Sequence, residues 1–122
     1  MKRLLVLSIV VILTVLTSSI ASAMDLMYGF YAPKGKYLIE LFQKGHPYPS
    51  RQDWDLVNYG YGGQYTYKRY WNYITPGRYY FIRVTLFNSN GTRTNVVKQS
   101  SAFYIPPRAD WYDFGTFNWY YR

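Results

Sequence analysis

The chain has 122 residues, a formal net charge of +8, no cysteine and an aromatic content of 22%. This length suits one domain with one modest core, and the lack of cysteine excludes disulfide bonds as a source of its stability. The positive charge favours acidic partners. No glycine-rich phosphate loop leads into a helical pattern, so the common nucleotide-binding motifs are excluded as well.

Residues 1–23 show the three regions of a secretory signal peptide. A basic start precedes an apolar run over residues 4–16, and Ala21-Ser22-Ala23 supplies the small residues of a cleavage site. The apolar run is shorter than the roughly 20 residues that a membrane-spanning helix needs. We therefore expect cleavage after Ala23 and a secreted protein, extracellular or on the cell surface, with a single domain over residues 24–122.

Residues 24–122 show the pattern of an all-β domain. Tyr, Phe, Val, Ile and Thr dominate, and these residue types suit pleated, half-buried surfaces. Turn signals at regular spacing predict a six- or seven-stranded antiparallel β-sandwich of the immunoglobulin or fibronectin III type. The predicted strands cover residues 26–32, 36–43, 53–61, 64–74, 78–87 and 92–105, and an aromatic C-terminal segment over 107–122 ends in a short piece at 117–121.

Two turn signals predict hairpins. Gly62-Gly63 predicts a tight turn between the strands at 53–61 and 64–74, because glycine accepts a positive φ. Asn88-Ser89-Asn90-Gly91 predicts a second turn, which we prefer to a glycosylation sequon at Asn90. Alternation also groups side chains on one face of each of two strands, and we expect the second of these faces to line the core. The first comprises Tyr37, Ile39 and Leu41, and the second comprises Tyr80, Ile82, Val84 and Leu86.

The segment TPGRYYFIRV at residues 75–84, followed by FNSNG at 87–91 and SSAF at 100–103, resembles the last hairpin of fibronectin type III and immunoglobulin-like sandwiches. The resemblance implies that Tyr80 is a tyrosine-corner residue whose hydroxyl bonds back to the backbone. The early tryptophan typical of fibronectin type III is missing near residues 36–43. Such modules share no active site, so the resemblance implies no functional residue.

Catalytic chemistry has little support in the sequence. The single histidine, His46, lies in a Gly-His-Pro loop, and no cysteine is present as a nucleophile. Asp53 with Asp55, or Asp110 with Asp113, could form a carboxylate pair. We interpret these aspartates as a polar rim around buried tryptophans, and a calcium site at Asp53 and Asp55 is similarly disfavoured. We expect no enzyme, no cofactor and no metal.

Alternating aromatic and basic residues in the strand at 64–74 give the strongest functional pattern. Strict alternation would place five of these side chains on one face, with Lys68 on the other. Aromatic faces stack on sugar rings and bases, and cations attract anions. The same rings could equally form a packed core ladder. The candidate ligand-binding residues are Tyr65, Tyr67, Arg69, Trp71 and Tyr73.

Three functions compete on this pattern. The first is a non-enzymatic module that binds anionic cell-wall or extracellular polysaccharide at the cell envelope. The second is a structural subunit that self-assembles by strand addition at a sheet edge. The third is an antibacterial or membrane-active protein. Nucleic acid is disfavoured as a partner, because export would place the protein among envelope polymers instead.

Overall fold

The computed structural model describes residues 24–58 and 64–121, the backbone alone at 64–68. The predicted signal peptide and the Gly62-Gly63 turn lie outside these residues. No helix in the described part of the chain is long and apolar enough to cross a membrane. The elements are β1 (Met24–Ala32), β2 (Gly35–Gln43), β3 (Arg51–Val57), β4 (Gln64–Ile74), β5 (Arg78–Phe87), β6 (Arg93–Gln99), β7 (Phe103–Ile105), β8 (Trp111–Asn118) and a 3-10 turn at Trp119–Tyr121.

The eight strands form two sheets. The smaller sheet has the order β4-β1-β8, and the larger has the order β3-β2-β5-β6, with β7 also paired to β5. All neighbours are antiparallel except β1 and β8, which run parallel. The all-β prediction with two sheets is therefore confirmed, whereas the strand number and the wholly antiparallel pairing are wrong. β8 runs parallel to β1 because the chain leaves the larger sheet after β7 and enters the smaller sheet alongside β1.

A hydrophobic core lies between the sheets, and it includes the face of β5 that alternation predicted. Tyr37, Ile39 and Leu41 of β2 and the inner face of β5 are buried against Leu26 and Phe30 of β1. Aromatic rings fill much of this space, since Phe30 meets Tyr37 edge to face at 5.0 Å. Burial raises the pKa of Tyr37 to about 12, and its hydroxyl donates to the carbonyl of Pro33.

The predicted strand at 92–105 is divided into β6 and β7. Both lie along the same edge of β5, and Ser100 sits between them, buried. The Ser100 hydroxyl accepts the backbone N–H of Ile82 at 2.9 Å, and the Ser100 N–H donates to the Ile82 carbonyl at 2.8 Å. A side chain thus replaces one rung of the ladder, which explains why regular pairing stops there.

The predicted hairpin between the third and fourth strands is wrong. β3 pairs with β2 in the larger sheet, whereas β4 pairs with β1 in the smaller sheet. The chain therefore changes sheets between β3 and β4. A glycine pair predicts a reversal of the chain, but it does not specify which strand the returning segment will join.

The Tyr80 hydroxyl bonds back to the backbone, as the resemblance to fibronectin type III implied. It donates to the carbonyl of Thr75 at 2.6 Å, and burial raises the pKa of Tyr80. Between Thr75 and Tyr80 the chain turns at Gly77, whose φ of 77° is a conformation that glycine adopts without steric cost. The bond ties the turn to the start of β5.

Val84→Asp should abolish cooperative folding, because Val84 is 0% exposed and an unpaired buried charge costs several kcal/mol against a total stability of roughly 5–15. The same substitution at Val97, which is 47% exposed on β6, should change stability by less than about 0.5 kcal/mol. Urea unfolding followed by circular dichroism compares the two variants. Equal effects would show that the inner face of the larger sheet is misassigned.

Candidate functional site

Of the five candidate ligand-binding residues, Trp71 and Tyr73 do not share one exposed face. Trp71 is 6% exposed and Tyr73 is 77% exposed, although alternation would put them on the same side. The register explains the difference, because Leu26 lies opposite Trp71 but Met24 lies opposite Ile74, so β4 carries an extra residue there. Tyr73 takes up this irregularity with a φ of 60°. The side chains of Tyr65 and Tyr67 lie outside the described residues.

Arg69 is held in an inter-sheet clamp, which we define as Tyr28, Asp53, Asp55 and Arg69. The guanidinium donates to Asp53 Oδ2 at 2.9 Å and to Asp55 Oδ1 at 3.3 Å. The Tyr28 hydroxyl donates to the same Asp53 oxygen at 2.6 Å. Tyr28 and Arg69 belong to the smaller sheet and the aspartates to the larger. The clamp therefore joins the two sheets through side chains.

The clamp sets one guanidinium against two carboxylates in a partly buried environment. Burial and the bond to Asp53 hold the pKa of Tyr28 well above its usual range, so this phenol stays a neutral donor. Burial alone would lower the pKa of Arg69, but hydrogen bonding to Asp53 and the two carboxylate charges raise it overall. Tyr28 also stacks on Trp71 at 4.1 Å between ring centroids. Arg69 and Trp71 therefore stabilise the interior of the sandwich, one by ion pairing and the other by ring stacking.

A second arginine supports the same junction. Arg51 of β3 donates from Nη2 to the carbonyl of Asn72 at 3.0 Å and to that of Tyr73 at 2.9 Å. These carbonyls belong to the irregular end of β4, where the pairing with β1 shifts register. Arg51 therefore stabilises the β4 irregularity from the opposite sheet.

The interpretation of the aspartates as a rim around buried tryptophans is wrong. Trp54 is 48% exposed and Trp111 is 60% exposed. The pairing of β2 with β3 places Asp53 opposite Ile39 and Asp55 opposite Tyr37, both core residues. The carboxylates therefore face inward to Arg69, and Trp54 between them faces solvent.

The solvent side of the larger sheet is the candidate functional site. We call this surface the outer face. Alternation and register place on it the side chains of β2, β3 and β5 that point away from the core. Their main members are Lys36, Leu38, Glu40, Phe42, Gln52, Trp54, Leu56, Tyr79, Phe81, Arg83, Thr85 and Phe87.

Aromatic rings on the outer face are paired with cations. At one end, Lys36 Nζ lies 5.0 Å from the centre of the Trp54 ring, and Phe87 meets Trp54 edge to face at 4.8 Å. Arg93 of β6 lies 5.7 Å from the Phe87 ring. In this geometry the negative face of a ring attracts a positive charge, which holds both groups in place.

Two further pairings continue along the sheet. In the middle, the Arg83 guanidinium lies 4.3 Å from the ring centre of Phe42, which stacks on Phe81 at 5.3 Å. At the far end, Lys44 Nζ lies 5.7 Å from the centre of the Tyr79 ring. Tyr79 and Phe87 are eight residues apart on β5, so the surface extends for about 26 Å along the strand.

The charge of the outer face is almost wholly positive. Glu40 supplies the carboxylate of this surface among the described residues, and it is 5% exposed. It accepts a hydrogen bond from Gln52 Nε2 at 3.0 Å, and its neighbour across the strand pair is Arg83. An approaching ligand therefore meets ammonium and guanidinium groups beside rings, with the acid covered.

A groove of about 210 Å³ lies at the Trp54 end of the outer face, lined by Lys34, Lys36, Leu56 and Phe87 among others. A Cβ atom at Gly35 would lie 3.0 Å from Leu86 Cδ1. Glycine at this position lets the start of β2 lie close to β5. The groove thus has an apolar floor with two lysines at its margin.

Comparison of the chain with protein-family models, with curated proteins and with solved structures finds no match. Functional interpretation therefore depends on the geometry of the chain's own residues. Within residues 24–58 and 64–121, no three His, Asp or Glu side chains are grouped so that they could hold a metal ion. His46 lies exposed in the β2–β3 loop. The arrangement suits binding by stacking and charge.

The sequence contained part of the signal for this face. Period-two alternation puts Lys36, Leu38, Glu40 and Phe42 on the side of β2 opposite its core residues. That Trp54 and Arg83 lie beside them depends on pairing between distant strands, which a single sequence does not display. The cation–ring pairs are therefore products of tertiary structure.

Arg69→Met should lower the free energy of unfolding by about 1–3 kcal/mol, because the inward-facing carboxylates lose their charged donor. Arg108→Met, at an exposed arginine, is the matched control and should have little effect. Urea unfolding curves of both variants measure the difference. If Arg69→Met were as stable as the parent, the clamp would contribute nothing to the sandwich.

Proposed function

We propose that the protein is a non-catalytic binding module, exported from the cell, whose outer face binds an anionic extracellular or cell-wall polysaccharide. One observation carries the proposal: exposed rings lie beside cations at both ends of the outer face, with Trp54 (48% exposed) beside Lys36 and Tyr79 (52% exposed) beside Lys44. Sugar rings present apolar C–H faces that stack on aromatic rings, and acidic sugars also bring charges that pair with cations.

The shape of the surface supports a polymer as ligand. Three cation–ring clusters are spread over about 26 Å along the strand direction, so one extended chain could meet them all. A small ligand would contact only one cluster. Several weak contacts along a chain add to a useful affinity, since linked sites benefit from a high effective concentration.

One feature supports binding in preference to catalysis, and another supports a location outside the cell. Asp53 and Asp55, the pair nearest to this face in sequence, are engaged with Arg69 on the other side of β3. The pattern of a charged start, an apolar run and Ala21-Ser22-Ala23 supports export. Polyanionic glycans are then the abundant partners that a basic surface would meet.

Trp54→Ala should weaken binding to a polyuronate such as alginate by about 1–3 kcal/mol, the value of one stacking contact on an aromatic ring. The fold should persist, because Trp54 is 48% exposed. Trp111→Ala is the matched control, since Trp111 is 60% exposed but belongs to the smaller sheet. Isothermal titration calorimetry measures affinity, and circular dichroism checks the fold.

Three outcomes of this comparison have distinct meanings. Loss of affinity in Trp54→Ala alone supports the outer face as the binding site. Equal losses in both variants would contradict its location, and unchanged affinity in both would contradict the role of tryptophan stacking. If the parent binds neutral dextran as well as alginate, the proposed anionic ligand is wrong.

Salt should weaken the binding, because screening reduces the attraction between exposed charges. The double variant Lys36→Gln with Arg93→Gln should bind alginate more weakly at low salt and show a flatter dependence of affinity on salt concentration. Arg78→Gln with Arg108→Gln removes the same charge at two exposed arginines outside the outer face and its groove, and is the control. Identical salt dependence in parent and outer-face variant would show that these cations do not contact the polymer.

A further inference from the structure

Two exposed tyrosines face each other across neighbouring strands at the far end of the larger sheet. Tyr79 of β5 lies directly opposite Tyr104 of β7, and their ring centroids are 4.8 Å apart at an angle of 45°. Tyr79 is 52% exposed and Tyr104 is 42% exposed, so an oxidant in solution can reach both phenols. We propose that this pair is a site of oxidative coupling that forms an intramolecular dityrosine.

The coupling needs a one-electron oxidant, for which we name a haem peroxidase using hydrogen peroxide. Each phenol loses one electron and one proton and becomes a phenoxyl radical. The radicals join through a new bond between the ring carbons next to the oxygens. The hydrogen on each joined carbon then moves to the phenoxyl oxygen, which restores both phenols. One peroxide is reduced to two waters, and the protein loses two hydrogen atoms.

Proximity selects this pair over more exposed tyrosines. Radicals couple when two rings meet, and opposite residues on paired strands have Cβ atoms about 4.5–5.5 Å apart. Tyr48 and Tyr121 are more exposed, at 80% and 84%, but they form no ring pair with another described tyrosine. Tyr31 and Tyr120 also touch, with centroids at 5.6 Å. They are the closest internal competitor within the described residues.

The bond would fix a short element of the larger sheet. β7 has three residues and pairs with β5, and its Ile105 is 0% exposed in the core. A covalent link between β5 and β7 restricts the unfolded chain, as a disulfide does. A chain without cysteine could gain a covalent staple in this way. The coupled protein should therefore melt at a higher temperature than the uncoupled one.

The test treats dilute purified protein with horseradish peroxidase and limiting hydrogen peroxide, without any polysaccharide. We expect a monomer that has lost two hydrogen atoms by intact mass and shows dityrosine fluorescence. Peptide mapping should join the peptide containing Tyr79 to that containing Tyr104. The readout is independent of glycan binding, so failure of one proposal leaves the other standing.

Tyr104→Phe should reduce the intramolecular product to background, because phenylalanine keeps the ring but has no phenol to oxidise. Tyr48→Phe, at an exposed tyrosine outside the pair, should leave the product unchanged. Circular dichroism confirms that both variants fold. A product mapped to Tyr31 and Tyr120, or one unaffected by Tyr104→Phe, would overturn the proposal, as would coupling between molecules alone.

Discussion

The inter-sheet clamp decides which way β3 faces. Asp53 and Asp55 point into the sandwich, where Arg69 of the opposite sheet supplies a positive charge and donates one hydrogen bond to each carboxylate. Without that guanidinium, two inward carboxylates would be costly, since buried charges need partners. Alternation then forces Trp54, which lies between them, to the outside. An interaction inside the sandwich therefore determines that a tryptophan is available on its surface.

Side-chain hydrogen bonds also take the place of backbone pairing between β3 and β4. β3 and β4 follow each other in the chain but lie in different sheets, so no run of paired N–H and C=O groups joins them. Arg51 and Arg69 make the connection instead, with donors to carbonyls on one side and to carboxylates on the other. Their planar, multidentate guanidinium groups suit this role better than lysine would. Both cations are thus committed to structure.

Local pattern was sufficient for much of the fold but not for its connections. Alternation in β2 and β5 grouped core residues such as Ile39 and Val84 on one face of each strand, because both strands are regular and covered on the inner side. Alternation failed at Trp71 and Tyr73, because an extra residue in β4 puts their side chains on opposite sides of the sheet. The sheet change after β3 and the parallel pairing of β8 depend on contacts between distant segments. For the same reason the outer face was not foreseen as a site.

Aromatic residues are so abundant in this chain that aromatic rings occur both in the core and on the outer face. A small domain without disulfides needs large buried side chains, and pairs such as Tyr28 with Trp71 and Phe30 with Tyr37 supply them. Strands covered on one side expose the alternate residues on the other, and this sequence places rings there too. Phe42 is 4% exposed although it lies outside the central core, because Arg83 and Phe81 cover it. The outer face is therefore partly packed before any ligand arrives, and little conformational entropy remains to be lost when a stacking ligand binds.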